Sequence, residues 1–386
     1  MSAANTENTF MAEVCGILQE NGFEGVSRCL EILVNEAMRI ERSRVLCANP
    51  YERTEARTGH ANGFKSKTVK SRIGSLNLSV PQVRGDVSFY PSALERGVRS
   101  ERALKAAVAE MYVKGISNRK VTAVVEELCG FSVSSADVSR SVTLLDEELK
   151  PWRERQLESI PYLILDARYE KVRIGGSVVP ASLLVAVGVR PDGRRSVLGV
   201  SVALSEAEVH WREFLASLME RGMHGVLCVT SDDHKGLNAA LNAQLPGVKR
   251  QRCQFHLQRN AQGYVPKVNM REAVAADIRA VFNAPDIKEA QRFLALTISK
   301  YKKSAPQLSK WMEEALPQGL TVFSLPSHVQ KKLRTSNGLE RLNKEIARRT
   351  KVATLFPNTE ALLRLASAIL MEISEEWETG KIYLKP

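Results

Sequence analysis

The chain has 386 residues, 44% hydrophobic and 25% charged, with a formal net charge of +12. That length holds two or three domains with sizeable cores, and the basic excess points to an anionic partner, nucleic acid being the commonest, although a merely basic soluble protein has the same balance. Six cysteines without a CxxC pair exclude a disulfide framework and suit a reducing cytoplasm, and the longest apolar run, ASLLVAVGV at 181–189, is too short for a bilayer.

Residues 1–48 read as helical, most clearly in CLEILVNEAM, with no signal-peptide pattern. The polar stretch NPYERTEARTGHANG (49–63) predicts a loop. FKSKTVKSRIGSLNLSVPQVRG (64–85) alternates and is rich in β-branched residues, with Gly74-Ser75 between its two runs. It predicts a β-hairpin whose first strand carries Lys65, Lys67, Lys70 and Arg72. Such cations suit DNA contact, and equally a solvated edge strand that resists aggregation.

Residues 101–149 change to helical periodicity. ERALKAAVAEMYVKG ends at Gly115, and SNRKVTAVVEELCG runs from Ser117 to Gly130. SVSSADVSRSVTLLDEELKPW follows, with Ser134 or Ser135 as N-cap and Pro151 beyond its end. This is the order of a helix-turn-helix, with Ser135, Ser139 and Arg140 at the exposed start of the reading helix. A plain three-helix bundle has the same pattern.

From 160 the period becomes that of strands: PYLILDARYEKVRI, SVVPASLLVAVGV and RRSVLGVSVAL, the last two joined by a PDG turn at 191–193. A helix at 206–222, the apolar strand GVLCVTSD (225–232), the helix HKGLNAALNAQL and a further strand in KRQRCQFH (249–256) follow. Three antiparallel strands and then helix–strand–helix–strand is the order of an RNase H-like core, an α/β fold with a mixed sheet and helices on both faces. Residues 257–316, SNGLERLNKEIARR and about 359–379 read as helices. The expected organisation is an N-terminal helical region plus basic hairpin (1–100), a helix-turn-helix region (101–152), the first part of a catalytic core (160–256), a helical insertion (257–330) and the C-terminal part of the core (331–386).

Asp166 follows YLIL and Asp232 follows LCVTS, so each is expected at the end of a buried strand. Two carboxylates on neighbouring strand ends repel each other unless a cation compensates, and a divalent metal that takes oxygen ligands and phosphate substrates fits. Two such ions could activate a hydroxyl and stabilise the leaving oxygen of an in-line displacement at phosphorus. A third acid is then needed, from a helix after the last core strand. Glu340 heads the basic helix TSNGLERLNKEIARRT, and three roles fit it. Asn337 to Glu340 has capping-box spacing, Glu340 to Lys344 is an i,i+4 ion pair, and a metal ligand is the third. On the helix alone the first two are favoured; the order strand-Asp, strand-Asp, helix-Glu favours the ligand.

LDARYEKVR, VTSDDHKGLNAA, QRCQFHLQRN and SNGLERLNKEIARRTKVATLFPN together resemble Mutator-type bacterial insertion-sequence transposases, which are DDE recombinases. NGF…R.GSLNLSVPQVR and EISEEWETGKIYL also match, so the resemblance runs from about 62 to 384. It implies a catalytic, metal-binding triad of Asp166, Asp232 and Glu340, with Mg²⁺ as cofactor and Mn²⁺ as a substitute. It also implies a mostly helical insertion between the second and third acids. The activity implied is cleavage and strand transfer at the terminal inverted repeats of an insertion sequence and at target DNA, by a homodimer or larger assembly in the cytoplasm. Where the family usually has a small residue this chain has Asp233, which is expected to cap the helix beginning near His234. Arg341, Lys344, Arg348 and Arg349 would neutralise phosphates behind Glu340. Cys253 and His256 form the C-x-x-H that the family also carries. Zinc would need two more ligands, and no second pair stands at finger spacing, so a buried cysteine and a hydrogen-bonding histidine are expected. His234 fits a phosphate contact, a supporting role or a solvent-facing position. The rival readings are an RNase H-like nuclease without strand transfer and a non-catalytic DNA-binding regulator.

Overall fold

Apolar faces at helical spacing, β-branched alternation and Gly-marked turns build two units, residues 1–144 and 145–386. The computed structural model describes residues 3–85, 87–94, 100–351 and 355–384, apart from the side chains of 3–10, 337, 338, 340 and 341.

The first unit contains α1 (Ala3–Asn21), α2 (Val26–Val45), the strands β1 (His60–Ser71) and β2 (Gly74–Arg84), then α3 (Arg102–Val113), α4 (Asn118–Cys129) and α5 (Ser135–Val142). Met38 of α2 and Leu76 and Leu78 of β2 form a small core between helix and hairpin. The same helix satisfies the hairpin's open edge: Asn77 N donates to Glu31 Oε1 (2.5 Å) and Ser79 N to Asn35 Oδ1 (2.8 Å). Unpaired edge groups would otherwise invite further strand pairing. Ser71 pairs with Gly74, so the turn is Arg72-Ile73 and falls earlier than Gly74-Ser75. Gly74, at φ +119°, opens β2 instead of forming the turn, and Arg72 leaves the first strand for the turn. Ser117 caps α4, which ends on Gly130 at φ +68°. Ser134, not Ser135, caps α5, through a complete capping box with Asp137.

The second unit begins in α6 (Asp146–Glu154), which contains Pro151 instead of stopping before it. The chain breaks earlier, in a 3-10 turn over Thr143–Leu145, so α6 is a new helix that buries Leu149 and is held by the Arg364–Asp146 ion pair (2.7 Å). The strands β3 (Tyr162–Ile174), β4 (Ser177–Val189), β5 (Arg195–Ala203), β6 (Cys228–Ser231) and β7 (Lys249–Arg252) form one mixed sheet in the order β5-β4-β3-β6-β7. β3, β4 and β5 are antiparallel; β6 and β7 join in parallel, through α7 (Glu208–Glu220) and α8 (Lys235–Gln244). Leu163, Leu165, Leu184 and Val229 pack one sheet face on Trp211, Phe214 and Leu215 of α7 and Leu237 and Leu241 of α8.

Beyond β7, α9 (Gln254–Ala261), α10 (Arg271–Phe282), α11 (Ile287–Tyr301) and α12 (Pro306–Ala315) share a core of their own, with Leu257, Ile278, Phe282, Leu294 and Met312 inside. Buried Gln251 joins it to the sheet: its amide donates to Gly319 O (2.8 Å) and its oxygen accepts from Val322 N (2.6 Å). α13 (Ser327–Leu333) returns to the sheet and packs Val329 and Leu333 against Cys228 and Val189, on the face away from α7. α14 (Asn337–Thr350) and α15 (Thr359–Thr379) complete the unit, α15 lying along β5. Among the described residues no helix is long and apolar enough to cross a membrane.

α14 is pinned at both ends. Leu339, Leu342 and Ile346 are buried, as the 3.6-residue period requires. Near its end, buried Arg349 bridges Glu345 and Glu372 at 2.7 Å each, and Thr350 donates to Glu170 of β3 (3.1 Å). Phe356 then pairs with β3 through Arg173 N (2.9 Å) and Lys171 O (2.9 Å). Removing Arg349 leaves two carboxylates facing each other. Arg349→Ala is expected to cost about 3 kcal/mol in chemical denaturation, the low end for breaking a buried ion pair because both acids keep some solvent. Arg348→Ala, at an exposed position, should cost within about 0.5 kcal/mol. Glu345 is drawn from an ordinary 4.5 to about 2, first by its Arg348 hydrogen bond and then by Arg349. Its folded value is depressed, so its stabilisation is complete above pH 4.5 and fades as pH falls toward 2. The difference in melting temperature between the native chain and Glu345→Gln should close across that window.

Candidate functional site

The register of the parallel strands brings the two aspartates together. Tyr162 lies opposite Cys228, Leu163 opposite Val229 and Ile164 opposite Thr230. Continued two residues past the paired segment, the same offset brings Asp166 level with Asp232, whose charge acts on the Asp166 carboxyl. Ser231 lies opposite Arg252, so the next position on the third strand is Cys253. Contrary to the expectation from sequence, Asp166 does not end its strand: β3 continues to Ile174, paired with β4. It is β6 that stops, at Ser231, leaving a notch in the sheet beside Asp166.

Burial, chiefly, lifts the Asp166 carboxyl to about 6 from an ordinary 3.8; nearby His256 and the Asn343 hydrogen bond oppose the rise, and Asp232 adds to it. Asn343 Nδ2 donates to Asp166 Oδ2 at 2.7 Å. Asp232 is half exposed; its Oδ1 accepts from Asp233 N (2.7 Å), and its Oδ2 lies 3.5 Å from His256 Nδ1.

Asp233 does not cap α8. The N-cap is His234, with no side-chain cap bond. Asp233 is instead engaged by Arg252 (3.0 Å) and Asn238 (2.6 Å). His234 Nδ1 lies 3.9 Å from Glu206 Oε2.

The C-x-x-H pair diverges. Buried Cys253 accepts hydrogen bonds from Ser336 N (3.3 Å) and Ser336 Oγ (3.2 Å), while His256 faces Asp232. Among the described residues no three His, Cys, Asp or Glu side chains are grouped to hold a metal. Ser336 is the N-cap of α14, so Cys253 anchors the start of the helix that bears Glu340. The helix begins with Asn337, one residue too early for an Asn337–Glu340 capping box. The side chains of Glu340 and Arg341 lie outside the described residues. Position 340 stands one turn before Asn343, on the same helical face. Asn343 was missed by sequence reasoning; its signal was the i,i+3 spacing from Glu340.

The basic residues of α14 separate. Lys344 is exposed; Arg348 is exposed and paired with Glu345 (2.6 Å); Arg349 is buried between two acids, which places it outside a phosphate-contacting row.

In the first unit a groove of about 1040 Å³ is lined by Lys65, Lys67 and Lys70 of β1, Lys105 of α3 and Arg140 of α5. Lys67 Nζ donates to Tyr90 (3.0 Å), Lys70 Nζ to Ser132 O (3.1 Å), and Arg140 pairs with Asp137 (2.5 Å). Arg72, paired with Glu101 (3.1 Å), does not line it; nor do Ser135 and Ser139, which are exposed on α5.

A family profile described as Transposase, Mutator family matches residues 5–380. The chain is 52% identical to the transposase for insertion sequence element IS406 of Burkholderia multivorans, over 99% of each chain. It is 42% identical to the transposase for ISRM5 of Rhizobium meliloti, over 97% of this chain and 94% of that one. It is 36% identical to the transposase for IS256 in transposon Tn4001 of Staphylococcus aureus, over 95% and 94%. With the profile spanning nearly its whole length, this chain belongs to the Mutator family of transposases.

Proposed function

We propose that the protein binds the ends of its own insertion sequence and cleaves and joins DNA strands at a site built from Asp166, Asp232 and Glu340. The observation that carries this reading is the register opposition of Asp166 and Asp232 at the notch beside β6. A buried carboxyl lifted to about 6 beside a second acid is an arrangement that favours a compensating cation. The mixed sheet order supports an RNase H-like core, with 257–330 inserted into it and 1–152 reading DNA.

The donors are oxygens, which suits Mg²⁺, or Mn²⁺ in its place, on Asp166, Asp232 and Glu340. Bound there, the metal would supply Lewis acidity to the attacking hydroxyl and to the leaving oxygen. The chain's own residues do the rest. Asn343 fixes one oxygen of Asp166 and so orients the other. His256 borders Asp232. Lys344 and Arg348 offer charge to the DNA backbone from the exposed face of α14. Water first breaks a phosphodiester and frees a 3′-hydroxyl; that hydroxyl then attacks a second phosphodiester, one P–O bond forming as another breaks. Two ends must be paired, so the active species is a dimer or larger, working in the cytoplasm at the nucleoid.

Asp166→Asn, Asp232→Asn and Glu340→Gln are each expected to reduce cleavage and joining of labelled element ends in Mg²⁺ below detection, with end binding retained. Asn343→Ala should lower both about 10- to 100-fold, the usual effect of removing the hydrogen bond that orients a metal ligand. Near-normal cleavage by one of the three acid variants removes that residue from the triad. Cleavage without joining by the native protein would leave a nuclease, and binding without either a regulator.

Lys70→Ala and Arg140→Ala should each flatten the slope of log affinity against log salt by about 0.9 for every phosphate that the side chain neutralises. Arg140→Ala should also narrow the preference for element ends over random DNA. Unchanged slopes in titrations at several salt concentrations would exclude the groove as the DNA-binding surface.

A further inference from the structure

Joining brings two DNA segments to one pair of acids: the cut end and the duplex that accepts it. On one face of the sheet, α14 meets Asp166 through Asn343 and exposes Lys344 and Arg348. The other face has cations of its own, on the continuation of β3. Residues of β3 alternate between the faces without a bulge. Asp166 and Glu170 turn to α14, while Leu163 and Leu165 pack on α7 and α8. Tyr169, Lys171 and Arg173 follow on that second face, each about 6.6 Å along the strand from the one before, and all three are exposed.

This row is rigid, and its cations are unpaired. Beyond the sheet, β3 and β4 continue as a ribbon closed by Gly175-Gly176, whose φ of +55° and +86° suit a tight hairpin turn. Val172 is fully buried, and Phe356 pairs with the other edge of β3 at Lys171 and Arg173. Arg168, on the α14 face, is held by Glu170 (2.6 Å), whereas Lys171 and Arg173 have no acidic partner among the described residues. A cavity of about 380 Å³ beside Arg173 is lined also by His210, Asn358 and Thr359, with no carboxylate in its wall.

The row also leads to the acids. The Tyr169 hydroxyl is hydrogen-bonded to Glu206, and Glu206 lies 3.9 Å from His234, two residues after Asp232. β6 stops at Ser231, so among the described residues no strand pairs with this edge of β3 between Asp166 and the Phe356 bridge. A DNA strand lying on the row can reach the acids across that open edge.

We propose that Lys171 and Arg173, with Tyr169 at the acid end, seat the backbone of the acceptor DNA, the duplex that receives the joined strand, while α14 serves the cut end from the opposite face. The inference rests on the cleaving and joining reading above. At the acids the 3′-hydroxyl of the cut end gives its proton to solvent and bonds to the acceptor phosphorus. The bond from that phosphorus to the acceptor's own 3′-oxygen breaks, so one P–O bond replaces another. Charge contacts to phosphates position a duplex without reading its bases, which suits an acceptor of varied sequence.

The test uses the full-length chain and labelled ends that already carry a free 3′-hydroxyl, joined in Mg²⁺ to unlabelled duplex at a series of acceptor concentrations. Cutting of intact ends is followed in parallel. Lys171→Ala and Arg173→Ala should each raise the acceptor concentration for half-maximal joining about 5- to 10-fold near 0.1 M salt, and flatten its dependence on log salt by about 0.9, the counterion-release value for one phosphate. Lys171→Arg and Arg173→Lys keep the charge and should stay near the native value. The loss should fall on joining and leave cutting little changed. If an alanine variant melts early, Lys171→Gln and Arg173→Gln replace it in the same titration. A half-maximal concentration that neither change moves overturns the acceptor surface. Equal loss of cutting and joining also overturns it, and assigns the row to the element end. A native protein that cuts ends but joins none overturns the acceptor surface and leaves the cleavage reading standing; one that neither cuts nor joins overturns both.

Discussion

Everything at the candidate site depends on one offset. β3 and β6 run parallel with Tyr162 opposite Cys228, and that pairing alone decides that two aspartates 66 residues apart in the chain meet. A slip of one residue would turn Asp166 to the other face of the sheet. The offset is held by apolar residues that leave no choice: Leu163, Ile164, Leu165, Cys228 and Val229 are all at most 1% exposed, packed between α7 and α8 on one side and α13 on the other. The acids are thus brought together by hydrophobic burial, and the Asp166 carboxyl rises to about 6 chiefly because it is taken out of water, with Asp232 adding a smaller share.

α14 is aligned on the same strand by contacts of a different kind. Its start is fixed by Ser336 on the Cys253 sulfur, its middle by Asn343 on Asp166, and its end by Thr350 on Glu170. Asn343 and Thr350 are two turns apart, and Asp166 and Glu170 are four residues apart, so helix and strand run in the same direction at matching rise. The apolar stripe of Leu339, Leu342 and Ile346 supplies the adhesion, and the polar contacts set the axial position. Cys253 is therefore better understood as an anchor for a helix than as half of a metal pair.

Positive charge is distributed unevenly through the chain. In the first unit lysines of β1 and Arg140 of α5 share one groove, which a bare helix-turn-helix would not form. In the second unit several arginines are consumed in structure: Arg349 between two acids, Arg364 on Asp146, Arg252 on Asp233. The net charge of +12 already subtracts such pairs; it is the total of 55 lysines and arginines that overstates how many cations can meet a phosphate.

Much of this was legible in the order of residues. Period 2 against period 3.6 marked the hairpin, the three antiparallel strands and the helices, because each pattern leaves one face apolar whatever the fold. Ser117, Gly130 and the Ser134–Asp137 box declared helix ends through their own local bonds. The acids at 166, 232 and 340 stood out by chemistry at strand and helix positions. What tertiary structure decided is which neighbour each residue meets. Pro151 is inside a helix because the break came at 143–145. Asp233 serves Arg252 and Asn238 instead of a helix end, and Arg349 is buried while Arg348 is not. Local pattern specifies a face and an end, through forces acting over a few residues. Partners far apart in the chain are chosen by strand register and by competition among buried charges, and neither exists until the sheet has closed over its core.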